Sequence, residues 1–116
     1  MASRIYKVLT GAELDEARAK GRYEGSPDDR RDGFIHLSAA DQLETTLAKH
    51  FGGRSNLSLL TVDAAALGAA LRWEPSRGGA LFPHLYAPLP LDAVLSIETL
   101  SLDEDGRHVL PLGADA

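Results

Sequence analysis

The sequence predicts an α+β domain, and three observations point there. Segments rich in β-branched and aromatic residues open the chain and fill its second half. Two stretches in the first half carry apolar residues at helical spacing, and turn residues separate the segments without repeats, linkers or low-complexity runs. At 116 residues the chain reads as a single domain, 1–116, with its core over about 4–111 and a frayed tail over 112–116. That length suffices to bury a core without metal or disulfide staples.

Arg4 to Leu9 reads as a strand through Ile5, Tyr6 and Val8. Thr10 then reads as an N-cap, with Glu13 completing a capping box, and Gly21 ends a helix that carries Leu14 and Ala17 on one face. Residues 22 to 32 read as a loop, with Gly25-Ser26-Pro27 as turn chemistry before the charge run Asp28-Asp29-Arg30-Arg31-Asp32. Asp32-Gly33-Phe34-Ile35-His36-Leu37-Ser38 follows as a short strand that ends on a helix N-cap. Alternation turns Ile35 and Leu37 into a core and puts Phe34, His36 and Ser38 on the other face. Ser38, with Asp41 in the first turn, opens a second helix, in which Leu43, Leu47 and Phe51 form an apolar stripe. Gly52-Gly53 ends it, and His50 lies late enough to favour the helix dipole.

Asn56 to Val62 is the clearest core strand, and Asp63 caps a short alanine-rich helical turn to about Ala69. Leu71 to Glu74 reads as a strand with Leu71 and Trp73 on one face and Arg72 and Glu74 on the other; Pro75 to Leu81 reads as a loop. Phe82-Pro83-His84-Leu85-Tyr86 is extended, because a residue before proline is kept out of the helical region; His84 and Tyr86 share a face. Pro88-Leu89-Pro90 is a rigid connector, Ala93 to Leu102 a long strand, and Asp105-Gly106 a hairpin turn leading to His108-Val109-Leu110.

Composition narrows the function classes. Twelve basic against seventeen acidic residues give −5 at pH 7, which argues against broad nucleic-acid binding through net charge. The absence of cysteine excludes disulfides, a thiolate nucleophile and cysteine-ligated zinc. The first residues lack the apolar run of a secretory signal, and the weakly apolar run Ala64 to Leu71 is too short to cross a bilayer. A cytoplasmic protein with no membrane partner is the expectation.

His36, Ser38, Glu74, His84 and Tyr86 are the polar candidates at strand ends and loop mouths. Two histidines and a carboxylate are ligand types that a metal accepts, but the chain has no HxH or HExxH spacing, so no metal site is assigned. Ser38 lacks the G-x-S-x-G setting of a strained nucleophile, and capping explains it. Glu74, beside Trp73, has three readings: a desolvated carboxyl with a raised pKa, an acceptor for a ribose diol, or an exposed residue paired with an arginine. For His36 and His84 the alternatives are a ligand-facing imidazole and a hydrogen-bonded, partly buried one. Arg30 or Arg31, and Arg77 within Ser76-Arg77-Gly78-Gly79, carry forks suited to phosphate; a solvated loop and a plain turn are the simpler alternatives.

Asp32-Gly-Phe-Ile-His-Leu-Ser38, Tyr23 to Ser26, Arg72-Trp-Glu74 and Phe82-Pro-His-Leu-Tyr86 together resemble the domain of unknown function 952 family, from Tyr6 to about Thr99. The resemblance implies an ADP-ribosyltransferase-like fold, a split mixed or antiparallel sheet with two main helices from the N-terminal half, which binds NAD in a cleft. His36-Leu37-Ser38 also resembles the His-x-His-Leu-Ser strand of RNA 2′-phosphotransferases, which share that fold and use NAD. Where those enzymes carry a His-Gly-Thr type triplet in the first strand, this chain has Tyr6-Lys7-Val8. The resulting expectation is a cleft with His36, Glu74 and His84 as catalytic residues and Ser38, Trp73, Tyr86, Arg31 and Arg77 as ligand-binding residues. Its ligand would be NAD or another ribonucleotide-type small molecule. An NAD-dependent transferase and a non-catalytic binding or structural domain both fit. Convergence of His36, Glu74 and His84 in one place discriminates between them.

Overall fold

A computed structural model describes residues 3–110, and within them every side chain but that of Arg77. The expected frayed tail lies outside the described residues. The chain is α+β, and among the described residues all strand pairs are antiparallel. β1 (Arg4–Thr10), β4 (Leu57–Asp63), β8 (Val94–Leu102) and β9 (His108–Val109) form one sheet in the order β1-β4-β8-β9. β3 (Ile35–His36), β6 (Ala80–Leu85) and β5 (Leu71–Ser76) form a second, and β2 (Arg22–Tyr23) pairs with β7 (Leu89–Pro90). The two larger sheets touch through a bridge between Tyr6 and Ser38.

Both faces of the four-stranded sheet are covered. Tyr6 and Val8 of β1 with Leu57 and Leu59 of β4 pack against Leu43 and Leu47 of α3 (Leu43–Phe51). Ile5, Leu9, Leu60 and Val62 point the other way. They meet Leu14 and Ala17 of α1 (Gly11–Lys20) and Ile35 and Leu85 of the second sheet. β4 is therefore buried from Leu57 to Val62, its polar Ser58 and Thr61 included, as a strand covered on both sides must be.

Several expectations need correction. Residues 22 to 32 are not a loop: Arg22–Tyr23 is a short strand, and Pro27–Asp32 is a helix, α2. Ser26 caps α2, with Asp29 returning the bond to the Ser26 N–H, and Pro27 starts the first turn, where its missing N–H costs nothing. Gly25-Ser26-Pro27 is thus a helix start, and the N-terminal half holds three helices rather than two. Ser38 does not cap a helix either. The chain enters α3 through a 3₁₀ turn at Ala40–Gln42, where the Gln42 side chain accepts the Ala39 N–H.

Pro75 to Leu81 is mostly strand, with only Arg77–Gly79 turning between β5 and β6. Pro75 is tolerated because β5 lies at the edge of its sheet. Pro83 sits in the central strand, but its carbonyl accepts from Leu37 N, so its missing N–H falls on the side where β3 has ended. Pro88-Leu89-Pro90 contributes β7 rather than acting as a connector alone. Asn56, expected in the core strand, lies outside β4 at φ 59°.

Candidate functional site

The second sheet gathers chemistry on one face because of its register. His36 pairs with His84 across β3 and β6, and Arg72 pairs with His84 across β6 and β5. Directly opposed residues share a face, so these side chains and Glu74, two residues beyond Arg72, project together. Ile35, Leu85, Leu71 and Trp73 take the opposite face and pack on the core. The structure therefore brings His36, Glu74, His84 and Tyr86 together and leaves Trp73 behind the sheet.

Glu74 is the carboxylate of the group, and one of its oxygens is doubly held. Its Oε1 accepts from Nδ1 of His84 at 2.8 Å and from the Tyr86 hydroxyl at 2.7 Å. Among the described residues no hydrogen bond reaches Oε2, and the side chain is 33% exposed. Of the three readings of Glu74, the desolvated carboxyl with a raised pKa is the one that falls. The bond from Tyr86, then that from His84, holds the carboxyl below its usual range, while the same bond raises the Tyr86 phenol. An ionised carboxylate only accepts, which assigns the proton on the Glu74 side of His84 to Nδ1.

The histidines have other duties. Nδ1 of His36 lies 2.6 Å from Asp29 Oδ1, and Nε2 lies 3.0 Å from Asp32 Oδ2. Both ring nitrogens of His36 therefore face a carboxylate. His84 is only 5% exposed, and the ring of Phe34 stacks on it with centroids 4.1 Å apart. Phe34 also meets His36 at 4.6 Å and Tyr86 at 5.2 Å, closing a four-ring cluster over the sheet.

Beneath this cluster lies Asp29, a member of the charge run Asp28 to Asp32. Its carboxylate takes Lys7 Nζ at 3.0 Å, the backbone N–H groups of Ser26 and His36, and the His36 ring. Burial alone would raise its pKa; the His36 hydrogen bond, the Lys7 charge and the two backbone donors together hold it well below the usual carboxylate range. Lys7 also donates to the His36 carbonyl at 2.7 Å, so β1, α2 and β3 are tied at one point. Tyr23 lies within 3.5 Å of Asp29 and 3.4 Å of Glu13; burial first, then those two charges, pushes its phenol far up, and it stays a donor.

The remaining candidates lie elsewhere. Ser38 is buried, with Oγ 3.0 Å from Thr46 Oγ1, so it faces α3 rather than the ring cluster. Arg31 is exposed and engaged by Asp28 and Asp32, each at 3.2 Å. The side chain of Arg77 lies outside the described residues. Sequence reasoning missed Asp29, Lys7, Phe34 and Arg72. The pattern Ser26-Pro27-x-Asp29 carried a signal for the first, since it matches a helix start. A concavity lined by Glu13, Lys20, Arg22, Tyr23 and Arg30 includes, of the candidates, Arg30 alone. Among the described residues no group of three or more metal-ligating side chains forms, and no helix is long and apolar enough to cross a membrane.

Comparison with known proteins places this arrangement. Residues 8–97 match the family model described as a protein of unknown function, DUF952. The crystal structure of protein CC0527 from Caulobacter crescentus is 55% identical, with a TM-score of 0.88 over 91% of this chain and 93% of that one. The solution structure of the same Caulobacter protein gives 55% identity and a TM-score of 0.82 over 91% of each chain. No curated protein matches the chain.

Proposed function

The chain belongs to the DUF952 family, and on that premise we propose that it binds a ribose-bearing, nucleotide-type ligand at Glu74. One observation carries the reading: Oε1 of Glu74 is fixed by His84 and Tyr86, while Oε2 is left without a partner among the described residues. A carboxylate whose orientation is already set loses little freedom when it accepts a ribose hydroxyl, and pre-organisation of this kind favours binding. Phe34 and the 42% exposed ring of Tyr86 offer aromatic surface for a base beside it. His84 and His36 act here as positioning residues.

The division into two larger antiparallel sheets supports an ADP-ribosyltransferase-like relationship. NAD held in the manner of those transferases does not fit the first strand. Tyr6 is buried against α3, and Lys7 is spent on Asp29 and the His36 carbonyl, so neither is available to a nicotinamide ribose. A second reading, group transfer from the ribose, is favoured by the ionised Glu74, which can stabilise positive charge developing at an anomeric carbon.

The test is a thermal-shift screen of NAD, ADP-ribose, nucleotides and divalent metals against wild type, Glu74→Gln and His84→Ala. A ligand at 100 times its Kd should stabilise by about 2.7 kcal/mol, roughly 4 °C or more for a domain this size. The proposal expects a shift with a ribonucleotide-type compound that Glu74→Gln removes, each shift being read against the same variant's ligand-free melting temperature. A screen in which none of them shifts the wild type ends the proposal. Release of nicotinamide from NAD would favour the second reading over simple binding.

A further inference from the structure

We propose that Arg72 is the phosphate-reading residue of this site, so that its ligand is a phosphorylated ribonucleoside rather than a neutral nucleoside. The inference rests on the Glu74 reading and adds the substrate class to it. Arg72 is exposed on β5 and opposed to His84, and it shares a face with Glu74 two residues on. Its guanidinium carbon lies 5.1 Å from the centroid of the Tyr86 ring, the same ring whose hydroxyl fixes Glu74.

Stacking on an aromatic face immobilises a guanidinium while leaving its in-plane N–H groups pointing outward. Those donors match two phosphate oxygens at once, which an ammonium group cannot do. The surroundings make the placement selective. Asp29 and Asp32 are offset by their own cations, Lys7 and Arg31, which leaves Glu74 and Arg72 as the charged pair beside the Tyr86 ring. Arg31 is drawn to Asp28 and Asp32, and among the arginines with described side chains Arg72 is the one over this ring cluster. One ligand can therefore offer a hydroxyl to Glu74 and a phosphate to Arg72, with its ring against Phe34 or Tyr86.

Calorimetric titration of adenosine, AMP, ADP-ribose and pyrophosphate into wild type, Arg72→Gln and Arg72→Lys tests this. AMP and ADP-ribose should bind about tenfold or more tightly than adenosine, the scale of a charge-assisted hydrogen-bond pair. Arg72→Gln should bring them to the adenosine level while leaving adenosine unchanged, and Arg72→Lys should recover only part of the loss. Equal binding of AMP and adenosine to wild type overturns the inference and leaves the ribose site standing. So does an Arg72→Gln variant that weakens adenosine as much as AMP, because Arg72 then only supports Tyr86. Arg72-dependent binding of pyrophosphate without binding of any nucleoside keeps the phosphate site and removes the ribose reading. Binding by none of the four probes removes both.

Discussion

Asp29 carries five polar contacts at 3% exposure, and its removal shows what the site rests on. Replacing it with asparagine leaves the Lys7 ammonium, itself 11% exposed, without its counter-charge. Breaking one side of a buried ion pair costs about 3–5 kcal/mol. The pH dependence has a definite sign. The folded carboxyl is held well below its unfolded value of about 3.9, so on acidification the unfolded chain takes up a proton that the folded chain refuses. The stabilisation is complete above about pH 5 and is lost as pH falls through and below pH 4. Chemical denaturation from pH 6 to pH 2.5 should show wild type losing stability steeply at the acid end. Asp29→Asn should start lower and fall less. Parallel curves would mean that Asp29 is not a source of the acid sensitivity.

The elements divide by how local their causes are. β1, α1, α3, β4 and β8 are legible in the sequence because periodicity and caps lie within each segment: Thr10 with Glu13, or Leu43, Leu47 and Phe51. The two-residue strands β2 and β7 carry no period at all and exist because Arg22 and Tyr23 meet Pro90 and Leu89 across the fold. Candidate residues follow the same division. His84 and Tyr86 could be placed on one face by alternation, but their meeting at Glu74 depends on β5–β6 register, and the His36–His84 pair on β3–β6 register. α2 was readable and was hidden by its charges. Its entry turn gives a sharp test, since Gly25 holds φ 109° and an added Cβ would lie 2.9 Å from Asp29 Cβ. Gly25→Ala should cost about 1–3 kcal/mol from backbone strain, with displacement of Asp29 added to it. Ser26→Ala should cost about 1 kcal/mol through the lost cap alone. Urea midpoints at constant m-value would read both, and a Gly25→Ala midpoint equal to wild type would show that the turn does not constrain Asp29.

On the scale of the whole molecule, β4 is shared by two apolar clusters, one facing α3 and the other facing α1 and the second sheet. Leu59 and Leu60 are neighbours in sequence yet belong to different clusters, so neither layer can melt while β4 keeps its pairing with β1 and β8. The candidate site, carried on the second sheet, is coupled to this strand through Ile35 and Leu85, and through the Tyr6–Ser38 bridge. Loss of packing far from Glu74 should therefore act on the site only by unfolding everything. Leu47→Ala, on the α3 side, and Leu60→Ala, on the other, should each cost about 2–5 kcal/mol, with the spread set by how far each cavity collapses. Each should lower the melting temperature by roughly 4 °C per kcal/mol. Both variants should still melt in one transition, with the calorimetric and van't Hoff enthalpies equal. Ligand affinity measured well below the melting temperature should stay at the wild-type value in both. A Leu47→Ala variant that melts in two steps, with tryptophan fluorescence from Trp73 changing only in the second, would show instead that the second sheet holds its site without the α3 layer.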